Sequence, residues 1–271
     1  MPNEIQIIWN RVEGALDQRG LARDRLLRPG ATNVLFQQAE ALLNVRLPEE
    51  VKRFYACHNG LEWKNNPDNF RHNPENIVNG WSIHSLDTLC STWVRLFEVY
   101  FLSYWKKKND LLVGEERFPS PERAIQPVFW HPCWLPFMFR RYSENFISYY
   151  QDYFIDLVPG PDGQYGQILF LQERREPDLE SFLYRKEPDP STIHKSVPQV
   201  VAPSLSVFFA RFAEDLEAGR YRYDVATGML WSRAGWEAAS KRGDLNRYWK
   251  NRRSFFEEGH QPPLTREWDA L

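Results

Sequence analysis

Two short pairs of residues carry side chains suited to nucleophilic or metal chemistry. Cys57 and His58 would put a thiol beside a base, and His131 and Cys133 would offer two metal ligands. Successive residues on a helix point about 100° apart, so Cys57 and His58 are not expected to face each other. Two ligands are too few for a structural zinc ion, which takes about four. The sequence therefore predicts no catalytic residue and no metal site at either pair.

Gly160, Gly163 and Gly166 follow one another at intervals of three residues. Backbone amides in such a segment can bind a phosphate, but a dinucleotide-binding loop opens a helix. The residues that follow here, 167–171, are typical of a strand, so we predict a hairpin turn. Signatures of phosphate-binding loops, zinc proteases, serine hydrolases and kinases are absent. The sequence thus predicts no cofactor and no enzyme, although an unrecognised active site stays open, with Asp156 or Glu62 near His58 as first candidates.

Composition excludes several broad classes of protein. The chain has 271 residues, of which 42% are hydrophobic and 15% aromatic, so it can bury a core. Its 34 basic and 36 acidic side chains give a net charge of -2, and nucleic acid is therefore not the expected partner. Three cysteines without close pairing favour a reducing, cytoplasmic location. The apolar segment 86–105 contains Asp87, Arg95 and Glu98 and is predicted to be a buried helix, not a membrane span.

Helical spacing of apolar residues predicts the elements that would position these groups. The first helix should bury Ile5, Ile8, Trp9, Val12 and Leu16. A second, capped by Thr32, should turn Val34, Leu35, Gln38, Ala39 and Leu42 inward. A third begins at Pro48, buries Val51, Phe54 and Tyr55, and stops at Asn59 and Gly60. A fourth follows Ser85, and a closing helix after Pro203 should bury Leu205, Phe208, Phe209, Phe212 and Leu216 before Gly219.

Between these helices the sequence predicts strands and loops. Residues 146–157 and 167–172 are expected to pair as a hairpin, and 64–80, 118–136, 140–151 and 174–196 are expected to be loops. Short helices are expected near 231–241 and 245–256.

Charge is uneven along the chain. Residues 144–191 hold ten acidic and four basic side chains, which suits either a surface that attracts a basic partner or solvated loops. Residues 241–253 are basic and aromatic, and packing explains them better than phosphate binding.

Four blocks occur in an order that resembles the SMI1/KNR4 (SUKH) family. The first extends from Ala39 to Gly60 and includes Pro48 and Asn59. The others are the Trp134-x-Pro136 block, the hairpin from Asp156 through Gly163 and Gly166, and the closing helix up to Tyr221. The resemblance implies an α+β fold in which helices pack around a small, mainly antiparallel sheet. The residues with a structural role in it would be Pro48, Asn59, Gly60, Trp134, Pro136, Asp156, Gly163 and Gly166.

The resemblance also implies a function. Bacterial members are immunity proteins that bind toxins, and fungal members are linked to cell-wall glucan synthesis. The preferred hypothesis is a cytoplasmic, non-enzymatic immunity protein that neutralises a cognate toxin. The alternative is a regulator or scaffold of cell-wall synthesis. Residues 1–222 would form the family domain and 223–271 a helical extension. Candidate partner-binding residues are Tyr149, Tyr150, Tyr153, Glu173, Glu176, Asp178 and Glu180, although a half-buried sheet face explains the tyrosines better.

Overall fold

A computed structural model describes residues 4–18, 27–61, 82–98, 123–126, 130–144, 147–175, 193–195, 197–224 and 229–232. The helices in these ranges are α1 (Glu4–Asp17), α2 (Asn33–Leu43), α3 (Glu49–Cys57), α4 (Leu86–Leu96) and α5 (Leu205–Glu217). The strands are β1 (Leu27–Pro29), β2 (His58–Leu61), β3 (Ser82–Ile83), β4 (Trp134–Glu144), β5 (Ile147–Asp156), β6 (Gln167–Arg175), β7 (Ile193–Lys195), β8 (Gln199–Ala202), β9 (Tyr221–Asp224) and β10 (Met229–Ser232).

The main sheet is antiparallel and has six strands. Its path is β3-β4-β5-β6-β7. β7 pairs with residues 173–175 of β6, and β8 pairs with residues 168–170 of the same strand. The long hairpin of β4 and β5 pairs Trp134 with Asp156 at one end and Glu144 with Ile147 at the other. Two smaller antiparallel pairs, β1 with β2 and β9 with β10, complete the strands of the described residues. The predicted α+β class is confirmed.

Helices α1, α3 and α5 pack on one face of the sheet. Alternation along the strands turns Leu135, Ile155 and Ile168 to this face, where they are almost fully buried with Phe54 and Phe209. The predicted inward face of α1 is confirmed, because Ile5, Ile8, Trp9, Val12 and Leu16 are all buried. On α5, Leu205, Phe209 and Leu216 are buried, whereas Phe208 and Phe212 are half-buried.

The opposite face of the sheet carries a second apolar cluster. Its buried members are Ile125, Trp130, Trp134, Phe154, Leu169 and Leu171. The end of α4 covers this cluster with Trp93, whose ring stacks on Phe97 and whose indole N–H donates to the Pro132 carbonyl at 2.6 Å. The sheet is therefore packed on both faces.

The prediction for α2 was right about Ala39, which is buried, and Leu35, which packs against the core, but wrong about the rest of the inward face. Thr32 caps the helix as expected, accepting from the Leu35 amide. However, Val34 and Leu42 are 60% and 50% exposed, and the buried residues are Phe36, Ala39 and Leu43. Two apolar stripes run along this helix, and the stripe with the phenylalanine packs against the core.

Three boundaries also differ from the predictions. Pro48 precedes α3 as its cap residue, and the helix ends at Cys57, so Asn59 and Gly60 lie in β2 instead of a helix stop. Residues 140–151 were expected to be a loop, but the pairing of Arg140 with Gln151 extends the β4–β5 hairpin through most of them. The hairpin is favoured because Ile147, Tyr149 and Tyr150 are strand formers. Residues 174–175 and 193–195 are strands as well.

Several predictions lie wholly or partly outside the described residues. These are the loop at 64–80, residues 118–122 and 127–129 of the loop at 118–136, most of the loop at 174–196, the continuation of the fourth helix beyond Glu98, the basic segment 241–253 and the helix at 245–256. The end of the predicted 118–136 loop was wrong, because residues 134–136 belong to β4. Within the described part, Trp231 belongs to β10, so the predicted helix does not begin there. The division of the chain at residue 222 stays a prediction, and β9 runs through that position.

Candidate functional site

Asp156 at the end of β5 is the centre of a buried hydrogen-bond network. Its Oδ2 accepts from the Gln167 side-chain amide at 2.9 Å, and its Oδ1 accepts from the Val158 backbone amide at 2.9 Å. The Gln167 amide also donates to the Ala124 carbonyl at 2.8 Å. Because the Asp156 side chain is fully buried, these bonds compensate for its lost hydration. Asp156 thus ties the β5–β6 turn to residues 123–126.

The same turn requires a glycine at position 163. A Cβ atom there would lie 2.1 Å from the Ala124 carbonyl oxygen, far inside van der Waals contact. The amide of Gly160 donates to this carbonyl at 2.9 Å, and the amide of Gly166 donates to the Asp156 carbonyl at 2.7 Å. The predicted hairpin turn is confirmed, and its amides bind backbone carbonyls of the chain itself.

Burial shifts the pKa values of Asp156, His131 and Cys133 in the direction that disfavours their charged forms. Burial raises the pKa of Asp156, although the bonds from Gln167 and Val158 oppose this rise. Burial also lowers the pKa of His131 and raises the pKa of the Cys133 thiol. The Cys133 amide donates to Nδ1 of His131 at 3.0 Å. A reactive cysteine needs a stabilised thiolate, and this environment disfavours one.

Cys57 and His58 point to different partners, as the sequence predicted. The His58 ring lies between Glu13, with its Nε2 2.7 Å from the carboxylate, and the Arg28 carbonyl, 3.2 Å from its Nδ1. The Cys57 thiol donates to the Gln6 side-chain oxygen at 3.2 Å, and burial raises its pKa. Glu62, the other candidate acid near His58, lies outside the described residues. Among the described residues no three His, Cys, Asp or Glu side chains form a metal-binding group.

Asn59 and Gly60 connect β2 to the start of α4. The Asn59 side-chain oxygen accepts from the Leu86 amide at 2.8 Å. Gly60 has a φ of +75°, and a Cβ atom there would lie 2.5 Å from the Ser85 nitrogen. Only glycine meets both conditions without strain. Like Trp134 and Pro136, which are buried in the sheet, these residues build the fold.

A contact that the sequence did not reveal joins α3 to α5. The Glu50 carboxylate accepts from the Ser206 amide at 2.8 Å, from the Leu205 amide at 3.3 Å and from the Ser206 hydroxyl. The pairing joins residues 156 positions apart, so no local pattern could indicate it.

A recess of about 350 Å³ opens between α1, α5 and the sheet. We call it the α1–α5 recess. Its walls are mainly apolar and aromatic, and its lining residues are Trp9, Val12, Leu16, Leu27, Ile83, Met138, Tyr153, Val201, Phe208, Phe209, Arg211, Phe212, Asp215 and Tyr221. Its volume lies at the low end of the range found for ligand pockets, and Val12, Leu16 and Phe209 at its base belong to the buried core. Sequence analysis missed it because the lining comes from eight separate elements.

Charged groups occur at one side of this recess. Arg211 and Asp215 lie one helical turn apart on α5. Asp215 pairs with Arg220. The exposed Arg211 donates to the Val201 carbonyl at 2.9 Å, and no carboxylate of the described residues lies within ion-pair distance of it. The recess therefore combines apolar walls with a guanidinium group that lacks a counter-charge within the described part of the chain.

The candidate partner-binding residues are only partly described. Tyr150 and Tyr153 are half-buried on β5, which agrees with the sheet-face interpretation, and Tyr149 lies on the same strand opposite Tyr142. Glu173 was expected at the edge of an acidic loop, but it is 5% exposed within β6 because that strand extends to Arg175. Glu176, Asp178 and Glu180 lie outside the described residues. Of this set, only Tyr153 is among the described residues that line the α1–α5 recess.

The fold and the structural motifs identify the family. The model of the SMI1/KNR4 family (SUKH-1) matches residues 30–211, and the chain belongs to this family. The match includes the Asp156 turn, the Asn59–Gly60 connection and the first half of α5. It leaves out α1 and the residues from Phe212 onward. Trp9 of α1 and Phe212 are therefore residues of the recess wall that lie outside the match.

Similar proteins come from fungi. The chain is 25% identical over 230 residues to a cell wall biosynthesis and cell cycle regulator, smi1, of Schizosaccharomyces pombe, covering 85% of this chain and 40% of that protein. It is 33% identical over 110 residues to a glucan synthesis regulatory protein of Neurospora crassa, covering 41% and 16%. It is 31% identical over 101 residues to the cell wall assembly regulator SMI1 of Saccharomyces cerevisiae, covering 37% and 15%.

These relatives correct the functional hypothesis. The bacterial immunity protein and its cognate toxin partner were the wrong choice, because the named relatives are regulators of fungal cell walls. The family motif could not make this distinction, since its residues in this chain build turns and the core. The chain spans about two fifths or less of the length of the curated relatives it matches. No helix among the described residues is long and apolar enough to cross a membrane.

Proposed function

We propose that this protein is a non-enzymatic, cytoplasmic regulator of cell-wall synthesis that acts by binding another protein. The observation that carries the proposal is that the titratable side chains suited to chemistry make structural contacts. Asp156, His58 and Glu50 are all engaged in holding turns and elements together. The described lining of the α1–α5 recess is mainly apolar, and its charged members are Arg211 and Asp215, of which Asp215 is paired with Arg220. A recess of this kind suits recognition of a partner better than a reaction.

The similarity to wall regulators supports the biological setting of the proposal. The alignment with the S. pombe protein extends over 85% of this chain, so it reaches beyond the family motif. A domain of 40% of that protein's length would supply one function of the longer regulator, and partner binding is a function that a single domain can provide.

A domain exchange tests the proposal. The matching segment of smi1 in S. pombe is replaced by this chain, and growth is measured in the presence of a dye that weakens the cell wall. We expect growth close to that of the parent strain for the exchange and reduced growth for a strain lacking smi1. A matched exchange carries the chain with Gly163→Val, which cannot form the β5–β6 turn.

The exchange would refute the proposal if a soluble, normally abundant chimera left the cells as sensitive as the strain lacking smi1. Immunoblotting of the chimera separates this outcome from loss of the protein. A chimera with hydrolase activity in extracts, absent from the strain lacking smi1, would refute the non-enzymatic part.

A further inference from the structure

The α1–α5 recess has an aromatic floor. The centroid of the Phe208 ring lies 5.1 Å from that of Tyr153 and 5.8 Å from that of Phe137, and the Trp9 and Phe209 centroids are 5.7 Å apart. Tilted and edge-on arrangements of this kind stabilise packed aromatic rings. The sheet and two helices hold this floor from several sides, so an incoming apolar group would find the walls already formed and would lose little free energy in ordering them.

The rim of the recess carries a positive charge that the described residues do not neutralise. Asp215 is paired with Arg220, so its charge is balanced. Arg211, on the same face of α5, donates to the Val201 carbonyl. A guanidinium offers five donors and pairs readily with carboxylates. Charge complementarity therefore favours an acidic group in a ligand whose apolar part enters the recess.

The dimensions limit the ligand further. A volume of about 350 Å³ accommodates large side chains but is too small for a whole helix or a folded domain. Exposed Arg211 lies at the mouth, where it can contact a residue next to the inserted side chain. The wall combines residues of the family match with residues of α1 and the end of α5 outside it.

We propose that the α1–α5 recess binds a short linear segment of a partner protein, with a bulky apolar side chain inserted between α1 and α5 and an Asp or Glu beside it paired with Arg211. This inference rests on the proposed function and specifies the class of partner. The apolar anchor supplies most of the affinity, and the acidic residue selects the partner and orients it.

A selection experiment tests the inference. The full chain is immobilised and presented with a phage library of random linear peptides. We expect enriched peptides to share an aromatic or large aliphatic residue with an acidic residue a few positions away. The selection is repeated with Arg211→Glu, which changes an exposed side chain and should preserve the fold. That variant is expected to enrich basic residues in place of acidic ones.

Affinities of one enriched peptide give the quantitative test. By fluorescence anisotropy, Arg211→Glu should weaken binding about tenfold, and a peptide with Lys in place of the acidic residue should recover most of this loss. Arg53→Glu, an exposed change on α3 outside the recess, should leave affinity unchanged. Val201→Phe should fill the recess and weaken both peptides alike, with its fold verified by its unfolding midpoint.

Three results would overturn the inference. These are no peptide enrichment on the folded chain, enrichment that Arg211→Glu leaves unchanged, and binding of decanoate or another small amphiphile to the recess with no peptide enriched. They are distinguishable from failure of the proposed function. A chimera that restores growth while no peptide binds rejects only the peptide site, and peptide binding without restored growth rejects the role in the cell wall.

Discussion

Glu50 of α3 caps the N-terminus of α5 by accepting a hydrogen bond from the Ser206 amide at 2.8 Å and another from the Ser206 hydroxyl. The first amides of a helix lack partners within the helix, and its N-terminal dipole attracts negative charge. Ser204, the residue before α5, accepts from the Val207 amide in the same turn. Two side chains thus satisfy the start of the helix that carries Phe208, Phe209 and Arg211 into the α1–α5 recess.

Glu50→Ala should lower the free energy of unfolding by about 1–3 kcal/mol, because it leaves partly buried amides of α5 without an acceptor. Urea denaturation followed by circular dichroism measures this. Glu50→Gln keeps an acceptor and should recover part of the loss.

Glu49→Ala is the matched control, since its side chain is 75% exposed and its ion-pair contact, with Lys52, is long at 3.9 Å. It should change stability by no more than about 0.5 kcal/mol. Equal losses for Glu49→Ala and Glu50→Ala would show that helix α3, and not the cap on α5, is responsible.

The Gly163 turn can be tested by a pair of glycine substitutions with opposite expected signs. In Gly163→Ala, the new Cβ would lie 2.1 Å from the Ala124 carbonyl oxygen, so residues 123–126 must move and the protein should lose about 2 kcal/mol or more. Gly14 lies within α1, and a Cβ there meets no heavy atom of the described residues within 4 Å. Gly14→Ala should therefore raise stability by about 0.5–1 kcal/mol.

Thermal unfolding of both variants provides the measurement. A Gly163→Ala protein with an unchanged midpoint would contradict this prediction. It would show that the turn accommodates the Cβ atom beside the Ala124 carbonyl oxygen without a loss of stability. A Gly14→Ala protein that loses stability would indicate a constraint on α1 beyond its own backbone.

Sequence analysis located most elements because their signals are local. The spacing of Ile5, Trp9 and Leu16 and the cap at Ser85 each depend on residues within a few positions. The orientation of α2 is a different problem, since apolar residues occur on opposite sides of this helix, with Val34 and Leu42 on one side and Phe36 and Leu43 on the other. Only packing against other elements decides between them, and one sequence does not contain that information in a local pattern.

The candidate site was predictable only in its scaffold. The order of motif blocks pointed to Asp156 and Gly163 as fold-forming residues, and the structure gives both a role in the β5–β6 turn. The α1–α5 recess was not predictable, because Trp9, Tyr153 and Phe208 meet through the tertiary arrangement of three elements. The prediction of Glu173 as a surface charge was wrong for a related reason. The sequence predicted a strand that ends at residue 172, but β6 continues to Arg175.

Asp156 should make the protein's stability depend on pH. Burial raises its pKa in the folded state above the unfolded value, so between those two values only the folded state binds the proton. The contribution of this group to stability is therefore full at acidic pH and is lost as pH rises through the folded pKa. The difference in unfolding free energy between wild type and Asp156→Asn should become less favourable to wild type over that range.

Urea denaturation of both proteins between about pH 3.5 and 7 tests this dependence. Asparagine places an amide against the Gln167 amide. This changes the unfolding free energy of the variant by an amount that does not vary with pH. A difference that stays constant, or that moves in favour of wild type as pH rises, would contradict a raised pKa.

The buried thiol of Cys90 should resist alkylation in the folded protein. Burial, with a smaller effect of Asp87, raises its pKa to about 11. A free cysteine has a pKa of about 8.5, so at about pH 8 the thiolate fraction of Cys90 is lower by roughly two orders of magnitude. Iodoacetamide labelling followed by peptide mass spectrometry should find Cys90 modified far more slowly in the folded protein than in urea.

The other two cysteines provide the comparison within one experiment. Cys57 and Cys133 also have raised pKa values, but both are only half-buried, so they should be labelled before Cys90. The Cys90 rate should continue to increase about tenfold per pH unit toward pH 11, provided the fold persists. Labelling of Cys90 as fast as Cys133 at neutral pH would mean that α4 opens readily from the sheet, because the packed helix keeps this thiol covered.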